Sequence, residues 1–171
     1  MAAGSTYTPV ATTTLGNSTT ASYTFSSIPS TYTDLVLIGA GQLTVNGEGL
    51  GVQFNGDTGT NYSFTYLSGS GSAAASGRQT ARAYATSNWN TGFSNSTENN
   101  TIFHFQNYAN STTYKTVLAR SNNAAGSSNP GTETVVSLWR NTAAITSILV
   151  KANTGFFTTG FTWTLYGIQA A

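Results

Sequence analysis

The chain has 171 residues, which is enough for one domain with a sizeable core and too few for two independent domains. Only 6% of the residues are charged, against about 25% in an ordinary soluble protein, and the formal net charge is +1. With no cysteine and with six basic residues dispersed along the sequence, this composition excludes disulfides and thiolate-ligated metals and argues against a nucleic-acid footprint.

Short runs of β-branched and aromatic residues recur between clusters of Gly, Asn, Ser and Pro, and no window has apolar residues at helical spacing over three turns. Every predicted element is therefore a strand. In chain order the predicted strands are 7–15, 21–26, 34–39, 51–55, 63–67, 79–86, 100–107, 113–119, 134–140, 145–151 and 161–168.

Alternation separates strands that cover a core on one side from strands that are apolar on both faces. Tyr23 and Phe25 alternate with hydroxyl residues, as do Trp163 and Leu165. The run 35–38 is apolar throughout, which indicates a central strand covered on both sides or a strand whose outer face meets a partner. We expect this run and 135–139 in the middle of the fold.

About ten strands without helical crossovers require two packed sheets or a barrel. The predicted fold class is all-β: an antiparallel, jelly-roll-like β-sandwich with no substantial helix. We expect an N-terminal arm at residues 1–9, followed by a single domain at 10–171. Residues 1–10 show no signal-peptide pattern, and the apolar runs are too short to cross a bilayer, so no membrane contact is expected.

Three polar segments are predicted to be loops. The segments 68–77 and 121–131 consist of small residues with little to bury, so we expect both to project from the domain. The segment 87–99 is similar but contains Trp89 and Phe93. These rings either contact a partner or fold back under the sheet, and the sequence does not choose between the two.

The ionisable residues give no catalytic pattern. His104 lies between two phenylalanines with no carboxylate nearby in the sequence to orient it, and the five acids are scattered. Asp57, in a loop rich in glycine and asparagine, is predicted to organise an Asx turn, with a weak calcium site as the alternative. Residues 47–51 lack the lysine and helix of a phosphate loop. The sequence therefore predicts no enzyme activity, cofactor or metal.

Several segments taken together resemble a family of small virion proteins from tailed phages of cyanobacteria and aquatic bacteria. They span nearly the whole chain and consist of the opening Tyr-Thr-Pro-Val-Ala at 7–11, the segments at 25–29 and 32–37, the loop at 54–63, the segment at 139–148 and the terminal Leu-Tyr-Gly-Ile at 165–168. Each is a structural turn or strand, and none is a catalytic signature.

The resemblance implies a β-sandwich on the virion, either as a capsid decoration (cement) protein or in a tail appendage. The chain lacks heptads and the repetitive fibrous portion that many tail fibres carry, which favours the capsid exterior. The expected partners are the major capsid protein and further copies of the chain, as a homotrimer, with no nucleic acid. The alternative is a receptor- or carbohydrate-binding tip, and the least favoured class is a glycan-cleaving enzyme with paired carboxylates such as Asp57 or Glu133.

The residues expected to contact partners are loop aromatics and the N-terminal arm. They are Tyr7, Pro9, Trp89, Phe93, Phe156 and Phe157. Since successive strand residues point to opposite faces, Phe156 and Phe157 cannot both face one core.

Overall fold

The computed structural model describes residues 6–124 and 130–169, which contain twelve strands and no helix. In chain order the strands are β1 (Tyr7–Thr14), β2 (Ser22–Phe25), β3 (Asp34–Gly41), β4 (Leu50–Phe54), β5 (Tyr62–Gly69), β6 (Ala74–Arg82), β7 (Ala85–Thr86), β8 (Asn99–Phe105), β9 (Lys115–Asn123), β10 (Gly131–Trp139), β11 (Ile148–Ala152) and β12 (Thr162–Ile168). No helix long and apolar enough to cross a membrane occurs within these ranges.

The strands form two antiparallel sheets of unequal size. The large sheet has the order β1-β12-β3-β8-β9-β10-β5-β6, and the small sheet has the order β2-β11-β4-β7. Their inner faces enclose a core dominated by aromatic rings, in which Phe54 contacts Tyr62, Phe105 and Trp139. The predicted all-β sandwich is confirmed, with twelve strands where about ten were expected.

All the predicted strands are present, with shifted ends, but the expectation for residues 68–77 is wrong. They belong to a hairpin in which β5 pairs with β6 across a short turn. Alanine, serine and glycine bury little apolar area. The segment can therefore form an exposed edge strand, which main-chain hydrogen bonds alone hold in place. Of the other predicted loop, 121–123 extends β9 and residue 131 begins β10. Residues 125–129 lie outside the described part of the chain.

The two runs expected in the middle of the fold lie on interior strands of the large sheet. The first belongs to β3, between β12 and β8, and the second belongs to β10, between β9 and β5. In β3, Leu35 and Leu37 are fully buried against the core, whereas Val36 and Ile38 point to the opposite face. No second layer of the described residues covers that face, which we call the outer face.

Each edge of the large sheet has an irregularity. In β1 the register with β12 shifts between Pro9 and Ala11. At the other edge the register of β5 with β6 shifts between Tyr62 and Phe64, and Ala81 has a φ of 53°. Proline and bulges are features by which natural sheets discourage pairing with another strand.

Candidate functional site

The outer face of the large sheet presents two rows of side chains across neighbouring strands. In the first row Val36, His104, Leu118 and Val136 are successive register partners. In the second row the partners are Ile38, Ile102, Arg120, Thr134 and Leu67. Since residues opposite each other in an antiparallel pair share a face, the rows form one continuous surface. It is mostly apolar: Leu67, Leu118 and Val136 are exposed, Ile38 and Ile102 are half-buried, and Val36 is buried between its neighbours.

The exposure of this surface is unusual for its composition. Leu67 is 61% exposed, Val136 51% and Leu118 44%. Next to them lies a shallow depression of about 600 Å³, lined by Tyr7, Val36, Ile38, Ile102, His104, Leu118, Ala119, Arg120 and Thr134. Contiguous exposed apolar area of this kind marks an interaction surface more often than a single exposed leucine does.

The sequence contains a signal for this surface that was recognised only in part. Each of its apolar residues stands beside a core residue in a strand: Val36 beside Leu37, Leu118 beside Val117, and Val136 beside Val135. A strand that is apolar at two successive positions has an apolar residue on each face. Only the run 35–38 is long enough to stand out by eye.

Tyr7 and Pro9 lie in β1 and do not form a free arm. Tyr7 pairs with Ile168 and Pro9 with Tyr166, so the sandwich already includes residues predicted to precede it. Both side chains are exposed, and the Tyr7 ring lines the outer-face depression. Residues 1–5 of the predicted arm lie outside the described residues.

The four loop aromatics divide into two exposed and two buried rings. Trp89 is 37% and Phe156 41% exposed, whereas Phe93 and Phe157 are 1% and 0% exposed. Partner contact through Phe93 and Phe157 is therefore wrong, because both rings are needed in the core. The neighbours Phe156 and Phe157 face opposite ways, as strand alternation requires. Among the described residues, the rings of Tyr7, Trp89 and Phe156 make no contact with one another.

Glu133 anchors the loop that carries Trp89. Its side chain is fully buried on the inner face of β10, and its Oε1 accepts hydrogen bonds from the backbone N–H groups of Trp89 at 2.9 Å and Asn90 at 3.3 Å. Its Oε2 accepts from the backbone N–H of Asn90 at 3.0 Å, and from the N–H and hydroxyl of Thr91 at 2.8 and 2.9 Å. Both carboxylate oxygens of Glu133 therefore serve to hold the loop against the sheet. Sequence reasoning assigned Glu133 no such role.

Asp57 organises a second loop, as the Asx-turn interpretation predicted. Its Oδ1 accepts from the N–H of Gly59 at 2.9 Å, and its Oδ2 accepts from Asn61 Nδ2 at 2.9 Å and from the Trp139 indole at 2.7 Å. Desolvation of the carboxyl raises its pKa, but these hydrogen bonds outweigh it and leave the pKa below its usual value of 3.8. Both oxygens face donors, an arrangement that does not suit a calcium ligand.

His104 has a carboxylate partner that the sequence did not reveal. Its Nε2 lies 3.0 Å from Asp34 Oδ2, and Asp34 Oδ1 accepts a hydrogen bond from the backbone N–H of Asn107 at 2.8 Å. As the sequence indicated, no neighbour in the chain supplies this carboxylate; the pairing of β3 with β8 brings together residues that are 70 positions apart. Asp34 also fixes the turn that follows β8.

Three buried polar groups have shifted pKa values. Burial raises the pKa of Tyr62 far above 10.0, and it also raises the pKa of Tyr108. Burial lowers the pKa of Lys115, whose Nζ donates to the carbonyl oxygens of Thr113 at 2.8 Å and Thr142 at 2.9 Å. Tyr62 joins two strands, since its hydroxyl accepts from the N–H of Phe54 and donates to the carbonyl of Asp57. These groups stabilise the core and its ends.

Comparison with known proteins adds little to this geometry. No family model matches the chain, and no curated protein matches it. Among solved structures, the chain is similar to a protein of unknown function from Shewanella oneidensis MR-1, at 13% identity over 98% of this chain and 77% of that chain. The TM-score is 0.22, which carries no argument about fold or function. Any functional conclusion therefore rests on the chain's own residues.

Proposed function

We propose that this chain is a structural protein of a tailed-phage virion, and more closely a capsid decoration protein that binds the outer shell at capsomer junctions. The observation that carries the proposal is the uncovered, mostly apolar outer face of the large sheet. An isolated soluble domain has no use for such a face, whereas a protein that remains assembled covers it.

The size of the face suits a stable contact. Neighbouring strands lie about 4.8 Å apart and each residue advances about 3.3 Å, so eight strands of about eight residues span on the order of 1,000 Å². This is of the same order as the roughly 800 Å² that each partner contributes to an interface of standard size. One such face is sufficient to hold the protein on a shell, and repetition around a symmetric site increases the avidity.

The charges of the chain also favour a permanent assembly. Asp34 lies against His104, Glu133 is buried, and Asp57 is bonded within its own loop. On the outer face, Arg120 is the cation lining the depression, and hydroxyl and aliphatic side chains form most of the rest. Contacts of this composition depend on buried apolar area and on hydrogen bonds, so salt screens them little.

The resemblance described above supplies the partner and the place: the major capsid protein on the capsid exterior, with trimers of this chain where capsomers meet. A location on a tail appendage is the alternative, and a reconstruction of the intact particle separates the two.

Two exposed valines provide the test. Val136 lies on the outer face, at the end of its first row, with 51% exposure, and Val45 lies on a loop at 37%. We expect Val136→Asp to lower co-sedimentation with purified capsid shells by about tenfold or more, since a buried, unpaired carboxylate costs several kcal/mol. Val45→Asp, the matched control, should bind like the unaltered chain, and binding of both should persist in about 1 M NaCl.

Three results would contradict the proposal. They are equal binding by the two aspartate variants, release of the unaltered chain from shells by salt, and localisation of the protein to the tail tip. The last result would favour the receptor-binding alternative, which predicts adsorption of the purified protein to host cells.

A further inference from the structure

Outside the outer face, two cations and two aromatic rings form an alternating ladder on the surface. Arg82 Cζ lies 4.6 Å from the centre of the Trp89 ring and 5.6 Å from that of Tyr84, and Lys151 Nζ lies 5.1 Å from the Tyr84 ring. The Arg82 guanidinium also donates to the Tyr84 hydroxyl at 3.2 Å. We call Arg82, Tyr84, Trp89 and Lys151 the cation ladder.

The fold brings these residues together from four segments. Arg82 ends β6, Tyr84 precedes β7, Trp89 lies in the loop held by Glu133, and Lys151 lies in β11. Lys151 points outward from the small sheet because its neighbours Val150 and Ala152 are buried. The ladder therefore combines two cations, although the chain has only six in all.

The cations of the ladder lack acidic partners. Among the residues that the structure describes, neither Arg82 nor Lys151 forms an ion pair with a carboxylate. The Nε of Arg82 is buried and has no hydrogen-bond partner there. A protein with so few charges places both cations around the Tyr84 ring without a carboxylate partner among the described residues. This arrangement points to an anion supplied from outside.

A small polar cleft adjoins the ladder. It has a volume of about 180 Å³ and is lined by Gly47, Glu48, Gly49, Asn88, Trp89, Thr91 and Asn153. Among the described residues, the Oδ1 of Asn153 is buried without a hydrogen-bond partner, and the acidic residue Glu48 also lines the cleft. These are acceptors, so a ligand in the cleft must offer hydroxyl or amide donors.

The cleft and the ladder lie close together, because two glycines let their side chains approach the backbone. A Cβ on Gly49 would come within 2.9 Å of the Asn153 amide nitrogen, and one on Gly51 within 3.0 Å of the Tyr84 ring and 3.2 Å of Asn153 Oδ1. Asn153 of the cleft and Tyr84 of the ladder therefore both lie against Gly51, and Trp89 belongs to both the cleft and the ladder.

We propose that the cation ladder and its cleft form a binding site for an acidic sugar residue, such as a uronic acid, within a polysaccharide. Its carboxylate would bind Arg82 and Lys151, its hydroxyls would donate to Asn153 and Glu48, and the apolar face of its ring would lie against exposed aromatic surface. A DNA backbone fits less well, because its phosphodiesters are acceptors with no donor for Glu48, and two cations neutralise few of them. The site is independent of shell binding through the outer face.

The test uses tryptophan fluorescence, for which the chain is well suited. Trp139 and Trp163 are fully buried, so a change in emission reports on Trp89. We expect a hexamer of glucuronic or mannuronic acid to shift this emission saturably, and a neutral cellohexaose to bind at least about tenfold more weakly. Binding of the acidic hexamer should weaken in about 0.5 M NaCl, since the ladder is partly exposed.

Variants assign the effect to the ladder. Arg82→Gln and Lys151→Gln should each lower the affinity for the acidic hexamer by about tenfold, as expected for loss of one charge-assisted contact. Arg78→Gln removes a charge from the same strand away from the ladder and should leave the affinity unchanged. Because Arg82 is half-buried, the melting temperature of its variant is measured first, and Lys151→Gln serves if that variant is unfolded.

Four outcomes would overturn the site: no saturable change with the acidic hexamer, equal affinity for the neutral hexamer, equal weakening by Arg78→Gln, or tighter binding of oligothymidylate. None of these bears on shell binding, which Val136→Asp tests separately.

Discussion

Two loops of this protein are organised by a carboxylate, and the comparison separates a long-range anchor from a local one. Glu133 is fully buried on a central strand and binds backbone groups 42–44 residues away in the chain. Asp57 lies within its own loop, is partly exposed, and binds Gly59 and Asn61 as well as the distant Trp139. The buried anchor joins two parts of the fold, whereas the exposed one shapes a turn that its sequence already favours.

The largest expected effect is at the buried anchor. Glu133→Gln places an amide N–H₂ against backbone donors, so buried N–H groups lose their acceptor, and we expect a loss of about 3–5 kcal/mol in the free energy of unfolding. For a domain of this size, that corresponds to a fall of about 10 °C in melting temperature by calorimetry. Glu98→Gln, at an exposed position, is the control and should melt as the unaltered chain does.

Equal melting temperatures of Glu133→Gln and Glu98→Gln would show that Glu133 is not a long-range anchor. A selective change in Trp89 emission in Glu133→Gln would sharpen the comparison, because Glu133 holds the backbone of that residue.

A smaller effect with a pH signature is expected at the exposed anchor. Asp57→Asn should lower the free energy of unfolding by about 1–2 kcal/mol at neutral pH, since the hydrogen bonds to its carboxylate weaken. The folded-state pKa of Asp57 lies below 3.8, so its contribution is complete above pH 3.8 and is lost as the pH falls through the folded-state pKa. Urea titrations at pH 7, 4 and 2.5 should show the variant and the unaltered chain converging in acid. A constant difference across these pH values would show that ionisation of Asp57 does not stabilise the loop.

The smallest effect at neutral pH is expected at Tyr62, which bonds the same loop. Tyr62→Phe should lower stability by about 1 kcal/mol at pH 7, the net value of a typical hydrogen bond. Its pKa is raised above 10.0 in the folded state, so the unfolded chain releases its proton first and stability falls as the pH rises above 10. The phenylalanine variant should lose less stability than the unaltered chain between pH 9 and 11. Tyr114→Phe, at 54% exposure, is the matched control and should follow the unaltered chain in this range.

The same contrast explains what the sequence could predict. Short runs of β-branched and aromatic residues, several of them alternating, located the predicted strands, and the turn chemistry around Asp57 identified its loop, because these signals are local. The Glu133 anchor and the contact between His104 and Asp34 join residues far apart in the chain, and neither has a local signature. The first half of the hairpin strand β6 was missed because alanine and serine carry little strand propensity, and its pairing with β5 decides its conformation.

The positions of the loop aromatics were predicted only in part. Alternation correctly indicated that the rings of Phe156 and Phe157 point to opposite faces, but it did not predict which ring lies in the core. For Trp89 and Phe93 the sequence allowed either burial or exposure, and the structure takes both: Phe93 pairs with Glu48 beneath the sheet, and Trp89 stays at the surface.

The irregular edges of the large sheet limit how copies of this chain can associate. Pro9 and its bulge interrupt one edge, and the bulge near Ala81, flanked by Arg78 and Arg82, interrupts the other. Both features discourage a neighbour from continuing the hydrogen-bond ladder, so they oppose the growth of a fibril when copies are crowded on a surface. Association therefore occurs through the broad faces of the sandwich, where the side chains determine which molecule binds.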